Sequence, residues 1–292
     1  MIFGTNLKIY NAKNDLVDLD DLDSIFSVSP EGFGAAIENN IFNAGASFKS
    51  SGVDMKASSL KLNLYFGLGD DKSEMVEYRK FVEFLNYPPY RLVYTTDSYE
   101  LMRGCVLSEL TKSDINSNLV LLEQMTLDFT TLFYKEISET YTPETDVEGD
   151  GKIYSNYYVT PYVYESDYNG KSGVFSVFNN SKYIGTAKGS PVEVTVHGPC
   201  VNPYWEILDG SKILQSDGFL ITVPEGYRLV VSSIVQNQRA KLIAPDGTTS
   251  DVYQQQDLSR SNFVTIPEGY STLAFHNVSK ATFKYREEYI TV

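Results

Sequence analysis

Between Ser59 and Phe66 the chain alternates: Leu60, Leu62, Leu64 and Phe66 fall on one side, Lys61 and Asn63 on the other. A period of two marks a strand with one face in a core. The rhythm recurs from Leu119 to Phe133, where Leu119, Leu121, Glu123, Met125, Leu127 and Phe129 share a face. Two more strands are predicted over Tyr90–Tyr94 and Tyr99–Leu110, after a turn at Asp97-Ser98. One segment keeps helical time instead. From Lys72 to Asn86, Met75, Tyr78, Val82 and Leu85 recur at steps of three and four, with Phe81 and Phe84 beside them. Asp71 and Glu74 have the spacing of a capping box, and Pro88-Pro89 stop the helix. The first half therefore reads as α+β, one helix packed on a mainly antiparallel sheet.

The second half reads as all-β. Short apolar runs at Val174–Phe178, Val192–Val196, Leu220–Val223, Arg228–Ser232 and Ala281–Tyr285 are separated by Gly, Pro, Asn and Asp. That spacing predicts a sandwich. Ile221-Thr-Val-Pro-Glu-Gly-Tyr227 is echoed by Val264-Thr-Ile-Pro-Glu-Gly-Tyr270, which predicts a pair of hairpins with Glu and Gly at the corners of type II turns. Between the halves, residues 138–152 collect acids, a proline and two glycines. The expected organisation is a domain over 1–140, a linker over 141–153 and a β-sandwich over 154–292, the whole mainly β.

Charge narrows the function. Lys plus Arg is 24 and Asp plus Glu is 38, a net charge of -14. A general binder of nucleic acid or anionic membrane needs the opposite sign. Residues 1–145 carry 12 basic and 22 acidic residues, so the acidity is concentrated there. Cys105 and Cys200 lie in different halves and read as free thiols, and no leader-like or membrane-spanning apolar run is present, so synthesis in a cytosol is expected. The sequons at Asn179 and Asn277 then carry little weight.

Catalytic chemistry is hard to assemble. His197 and His276 stand in separate segments, each read as a strand-end residue with a backbone partner. Zinc-protease, nucleophile-elbow, P-loop and dinucleotide signatures are all missing, so no catalytic residue and no cofactor is assigned. Asp146, Glu148 and Asp150 resemble the start of a calcium loop, but Tyr157 stands where a bidentate Glu belongs. The Asp-rich stretch 11–23 reads as a solvated loop, with cation binding as the sharper reading. Tyr204 and Trp205 are candidates for a sugar platform, although a lone Trp more often fills a core. Tyr154, Tyr157, Tyr158, Tyr162 and Tyr164 are candidates for an oligomer or partner interface.

Several landmarks, in this order, resemble the distal tail proteins of long, non-contractile-tailed phages that infect Gram-positive bacteria. They are Phe81-Val-Glu-Phe-Leu-Asn86 leading into Tyr90-Arg-Leu-Val-Tyr94; the strand Tyr99 to Leu110; the closing strand Leu119 to Tyr134 with its Phe-Tyr-Lys exit; Gly198-Pro-x-x-Asn-Pro-x-Trp; the two Val/Ile-Pro-Glu-Gly turns; and the ending Asn277 to Arg286. The resemblance implies a ring-forming N-terminal domain and a galectin-like or carbohydrate-module-like C-terminal sandwich. It implies a hexameric ring at the tail tip of the virion, assembled in the host cytoplasm between the tail tube protein and the tail-associated hub or lysin. Its outer domains would meet a receptor-binding protein or host cell-wall saccharide, and DNA would pass only in transit through an acidic bore. The competing reading is a cell-surface lectin or adhesin built on the C-terminal sandwich.

Overall fold

Leu60, Leu62, Leu64 and Phe66 are all at most 1% exposed, on a strand that runs Ser59–Phe66 as its alternation demands. They form the floor of the first of two compact units in a computed structural model that describes residues 5–67, 73–114, 121–141, 173–181 and 189–292. The first unit is built on residues up to Lys135, joined by the last residues Glu288–Val292; the second on Glu136–Ser181 and Lys188–Glu287. The expected linker 141–153 lies, from residue 142 on, outside the described residues.

In the first unit Ser59–Phe66 sits between Ile25–Glu31 and Leu121–Phe129, antiparallel to both. Leu121–Phe129 pairs in turn with Glu100–Leu110, which pairs with Tyr90–Thr95, and that strand with Asn6–Tyr10. The Asp-rich stretch is not the solvated loop expected. Leu16–Asp18 pairs with Asn6–Tyr10, and Asp20–Asp21 pairs with Ile25–Glu31. Its carboxylates cap turns and edges: Asp20 accepts from Leu7 N at 2.6 Å and Ser27 Oγ at 3.1 Å, and Asp18 accepts from its neighbour Asp20 N. Burial pushes the Asp20 carboxyl up, against the pull of those two bonds.

The helix is Glu74–Phe84, shorter at both ends than expected. Its N-cap is Ser73, without a side-chain cap; Asp71 lies outside the described residues. The buried stripe is also rotated. Phe81 and Phe84 face the sheet and Glu77 is buried beside them, whereas Met75 and Val82 are 46% and 37% exposed. Two phenyl rings bury more apolar area than a Met and a Val, so the rings take the inner face. Phe81 packs on Phe66 at 5.8 Å, and Tyr78 meets Phe66 edge-on at 5.3 Å.

The strand expected from Leu119 to Phe133 is two strands. Leu121–Phe129 stops, and Phe133–Tyr141 starts after a break at Thr130–Leu132. Arg103, 3% exposed, builds that break: its Nε donates to Thr131 O at 2.8 Å, and its guanidinium lies 3.7 Å from the Phe129 ring and 4.6 Å from that of Phe133. Gly104 donates to Thr131 Oγ1 at 2.8 Å. Leu121, Glu123, Met125, Leu127 and Phe129 do share a buried face, as their alternation requires. Glu123 is tolerated there because it accepts from Thr111 Oγ1 at 2.7 Å, and from Ser113 N and Oγ at 2.6 and 2.9 Å.

The second unit is a sandwich. One sheet orders Thr249–Asp251, Arg239–Ile243, Arg228–Ser232, Ser190–His197, Lys280–Tyr289 and Phe133–Tyr141; the other orders Gly173–Asn179, Gly269–His276, Tyr204–Asp209 and Lys212–Gly218. Val194, Val196, Leu229 and Phe283 from the first meet Trp205, Ile207, Leu273 and Phe275 from the second in one core. Cys105 and Cys200 are free and buried, and burial pushes their thiols up to about 12 and about 11, which keeps both protonated and inert.

Neither Pro-Glu-Gly segment makes a hairpin: the first is a turn and the second a bend. In the first, Tyr227 N donates to Pro224 O at 3.1 Å and Gly226 has φ +78°, as a type II turn requires. The flanking strands, however, pair elsewhere: Thr222–Val223 with Cys200–Val201, and Arg228–Ser232 with Ser190–His197. In the second, Thr265–Ile266 pairs with Ser190–Pro191 while Gly269–His276 crosses to the other sheet. Each segment is a corner between strand pairs, because the twist of type II suits a change of direction better than a tight two-strand return.

Candidate functional site

The candidates named from sequence separate into three groups. Asp146, Glu148, Asp150, Tyr154, Tyr157, Tyr158, Tyr162 and Tyr164 lie outside the described residues. Trp205 is 0% exposed and fills the core of the sandwich. Tyr204, next to it on the same strand, points to the opposite face, so the two do not form one platform. Among the described residues no group of three or more His, Cys, Asp or Glu side chains is arranged to hold a metal ion.

Both faces of the Tyr204 ring are covered. His276 stacks on it at 4.3 Å with an interplanar angle of 7°, and the Arg260 guanidinium lies 3.9 Å from it. Two groups that close cannot share a face, so they sandwich the ring. Glu206 ties the stack together, 3.3 Å from His276 Nε2 and 3.8 Å from Arg260. His276 ends its strand as expected, but its partner is this side chain and not the backbone. Burial lowers its pKa, with Glu206 pulling up and Arg260 pushing down. Desolvation also holds His197 down, helped by Lys280 and Arg228 on the strands either side. Asn179 is 0% exposed, its amide donating to Ser190 Oγ and Ile266 O, so that sequon is closed in the folded chain.

The feature that sequence reading missed is in the first unit. Among the described residues, Ile37–Ala44 and Ser47–Met55 pair only with each other, around a two-residue turn where Gly45 has φ +72°. Gly at the first corner with φ > 0 suits a type II′ hairpin. None of its residues is buried. Yet it carries large apolar side chains in water: Ile41 is 60% exposed, Phe42 50% and Phe48 79%. Phe48 opposes Asn43, so Ile41 and Phe48 share one face, with Phe42 and Lys49 on the other. Its polar support is slight: Asn40 Nδ2 to Asp54 Oδ2 at 2.9 Å, and an exposed Lys56–Glu38 pair at 3.5 Å. The signal was present as Ala-Gly-Ala-Ser between two weakly alternating runs, but the runs lack a consistently apolar face.

Comparison with known proteins supplies a frame. The sequence profile of the distal tail protein, N-terminal domain, matches residues 6–130. No curated protein matches the chain. Among solved structures, the fold is similar to a chain of the phage P2 baseplate in its activated conformation with calcium, at a TM-score of 0.69 and 17% identity, covering 99% of this chain and 100% of that one. It is also similar to the Dit protein of phage SPP1, described as a paradigm of the hub adsorption apparatus in phages that infect Gram-positive bacteria, at a TM-score of 0.60 and 12% identity over 97% and 99% of the two chains.

Proposed function

We propose that this chain, whose residues 6–130 match the N-terminal domain of the distal tail protein, is a structural component of a phage tail and the subunit of a hexameric ring at the tail tip. In this reading the ring joins the tail tube to the hub or lysin. The second unit faces outward, towards a receptor-binding protein or host saccharide. The observation that carries it is the hairpin Ile37–Met55. Among the described residues it has no third strand and no packed face; such a two-stranded sheet is marginal in water, and its open edges invite pairing. A closed ring gives such an element a neighbour on every copy and leaves no copy with a free end. The net charge of -14 suits a bore that DNA must slide through without sticking.

Size-exclusion chromatography with light scattering, followed by negative-stain imaging, tests the reading. Six-fold particles with a central hole are the expected result. A monodisperse monomer up to the highest soluble concentration would sink the self-assembling ring.

A further inference from the structure

The outer edge of the strand Lys212–Gly218 is covered not by another strand but by the loop 257–265, through two backbone hydrogen bonds, Asp257 N to Gly218 O and Asn262 N to Ser216 O at 2.9 Å each, and through side chains. Gln215 Oε1 accepts from Thr265 N at 2.9 Å, Ser216 N donates to Ser261 Oγ at 3.3 Å, and Asp217 Oδ2 accepts from Phe263 N at 2.9 Å. The loop is strained. Asn262 and Phe263 are consecutive non-glycine residues at φ +58° and +48°. For a Phe that conformation is held only by what surrounds it. Asn262 is held by its backbone bond to Ser216 O, and Phe263 by Asp217, 1% exposed, whose other oxygen accepts from Gly218 N at 2.8 Å.

We propose that residues 257–263 form a proton-responsive latch on this edge, closed most firmly while the Asp217 side chain is protonated and loosened when it ionises. The groups packed around Asp217 say why. Trp205 is its register partner, and Val192, Val194, Val231 and Ser233 come from the facing sheet, all without charge. The Phe263 and Gly218 amides and the Gln256 side chain favour ionisation, and among the described residues the charged group that does so is Arg260, on the loop itself, engaged with Asp257 at 2.9 Å and stacked on Tyr204. Burial therefore wins, and the carboxyl is pushed up from 3.8 to about 6. In an opened loop Asp217 meets water and returns towards its ordinary value. Ionisation above pH 6 thus favours opening, and protonation favours closure. His276 acts in the opposite sense: its protonation is disfavoured while Arg260 lies across Tyr204, so acid acting there favours opening.

Hydrogen exchange resolved to single amides tests the latch. After correction for intrinsic rates, protection at Phe263 and Asn262 is expected to fall about tenfold from pH 5 to pH 7.5. Protection at Val194, in a central strand, should not follow it. In Asp217→Asn, which keeps an acceptor oxygen but cannot ionise, the fall should vanish or reverse under the His276 contribution. Independently of that variant's folding, the Asp217 carboxyl carbon should titrate near 6 in the parent protein. A midpoint near 4, a flat profile in the parent, or an equal fall at Val194 would each overturn the proposal.

Discussion

Arg103 shows what a single side chain does here. A buried guanidinium with no carboxylate beside it among the described residues should be costly, and desolvation lowers its pKa to about 10, which still leaves it charged at neutral pH. It is kept because it does three things at once: it donates to Thr131 O, donates to Ser58 Oγ at 3.0 Å, and lies on two phenyl rings. All three meet where the chain leaves Leu121–Phe129 for Phe133–Tyr141. Arg103→Met has similar length and no donors, so it strands the Thr131 carbonyl and loses both cation–π contacts. A loss of roughly 2–4 kcal/mol is expected in urea unfolding. Arg103→Lys should recover part of it, because it restores the charge but not the planar fork. If Met and Arg proved equally stable, the break would be held by the phenyl rings alone. Nothing in the one-dimensional pattern pointed to this residue, since a lone Arg in Leu-Met-Arg-Gly-Cys reads as an outward position.

At the scale of elements, alternation was a good guide wherever one face is wholly buried. Ser59–Phe66 and the inward set of Leu121–Phe129, Glu123 included, follow it residue by residue. It failed where a tertiary partner decides. The helix turned its aromatic side inward because the sheet offers Phe66 as a partner, and the Pro-Glu-Gly turns became corners because their strands found better neighbours. The first corner makes a sharp prediction. Gly198 N donates to Tyr227 O at 3.0 Å, and a Cβ added at Gly198 would stand 1.9 Å from Pro224 O, a backbone atom that cannot swing away. Gly198→Ala should therefore destabilise the sandwich by about 3 kcal/mol or more, whereas Gly226→Ala, at φ +78° with Pro245 Cγ 3.1 Å away, should lose only roughly 1–2 kcal/mol. Thermal unfolding of the two variants side by side reads the difference. Equal losses would mean that the corner relaxes around Gly198. The site candidates were less legible than the strands for a physical reason: an aromatic residue looks alike in sequence whether it fills a core, as Trp205 does, or lies between a His and an Arg, as Tyr204 does.

For the whole molecule, the question is what an exposed hairpin is for. A monomer built to remain one would hide Phe48 or replace it with a charge, since an apolar edge in water invites association. Phe42 and Phe48 lie on opposite faces of the hairpin, so each can be buried only by something arriving from outside the described strands. Substituting both by serine removes that driving force while touching no core. Phe42→Ser/Phe48→Ser should keep the unfolding free energy within about 0.5 kcal/mol of the parent, as exposed positions do. Assembly should respond far more. Burying each ring in a neighbour contributes roughly 1.5–3 kcal/mol per copy, and losing two per interface weakens each contact by at least about a hundredfold. Light scattering should then report a monomer at concentrations where the parent forms its large species. A variant that assembles like the parent would show that the proposed ring closes through another surface. A variant that unfolds would show that the hairpin already packs within its own chain.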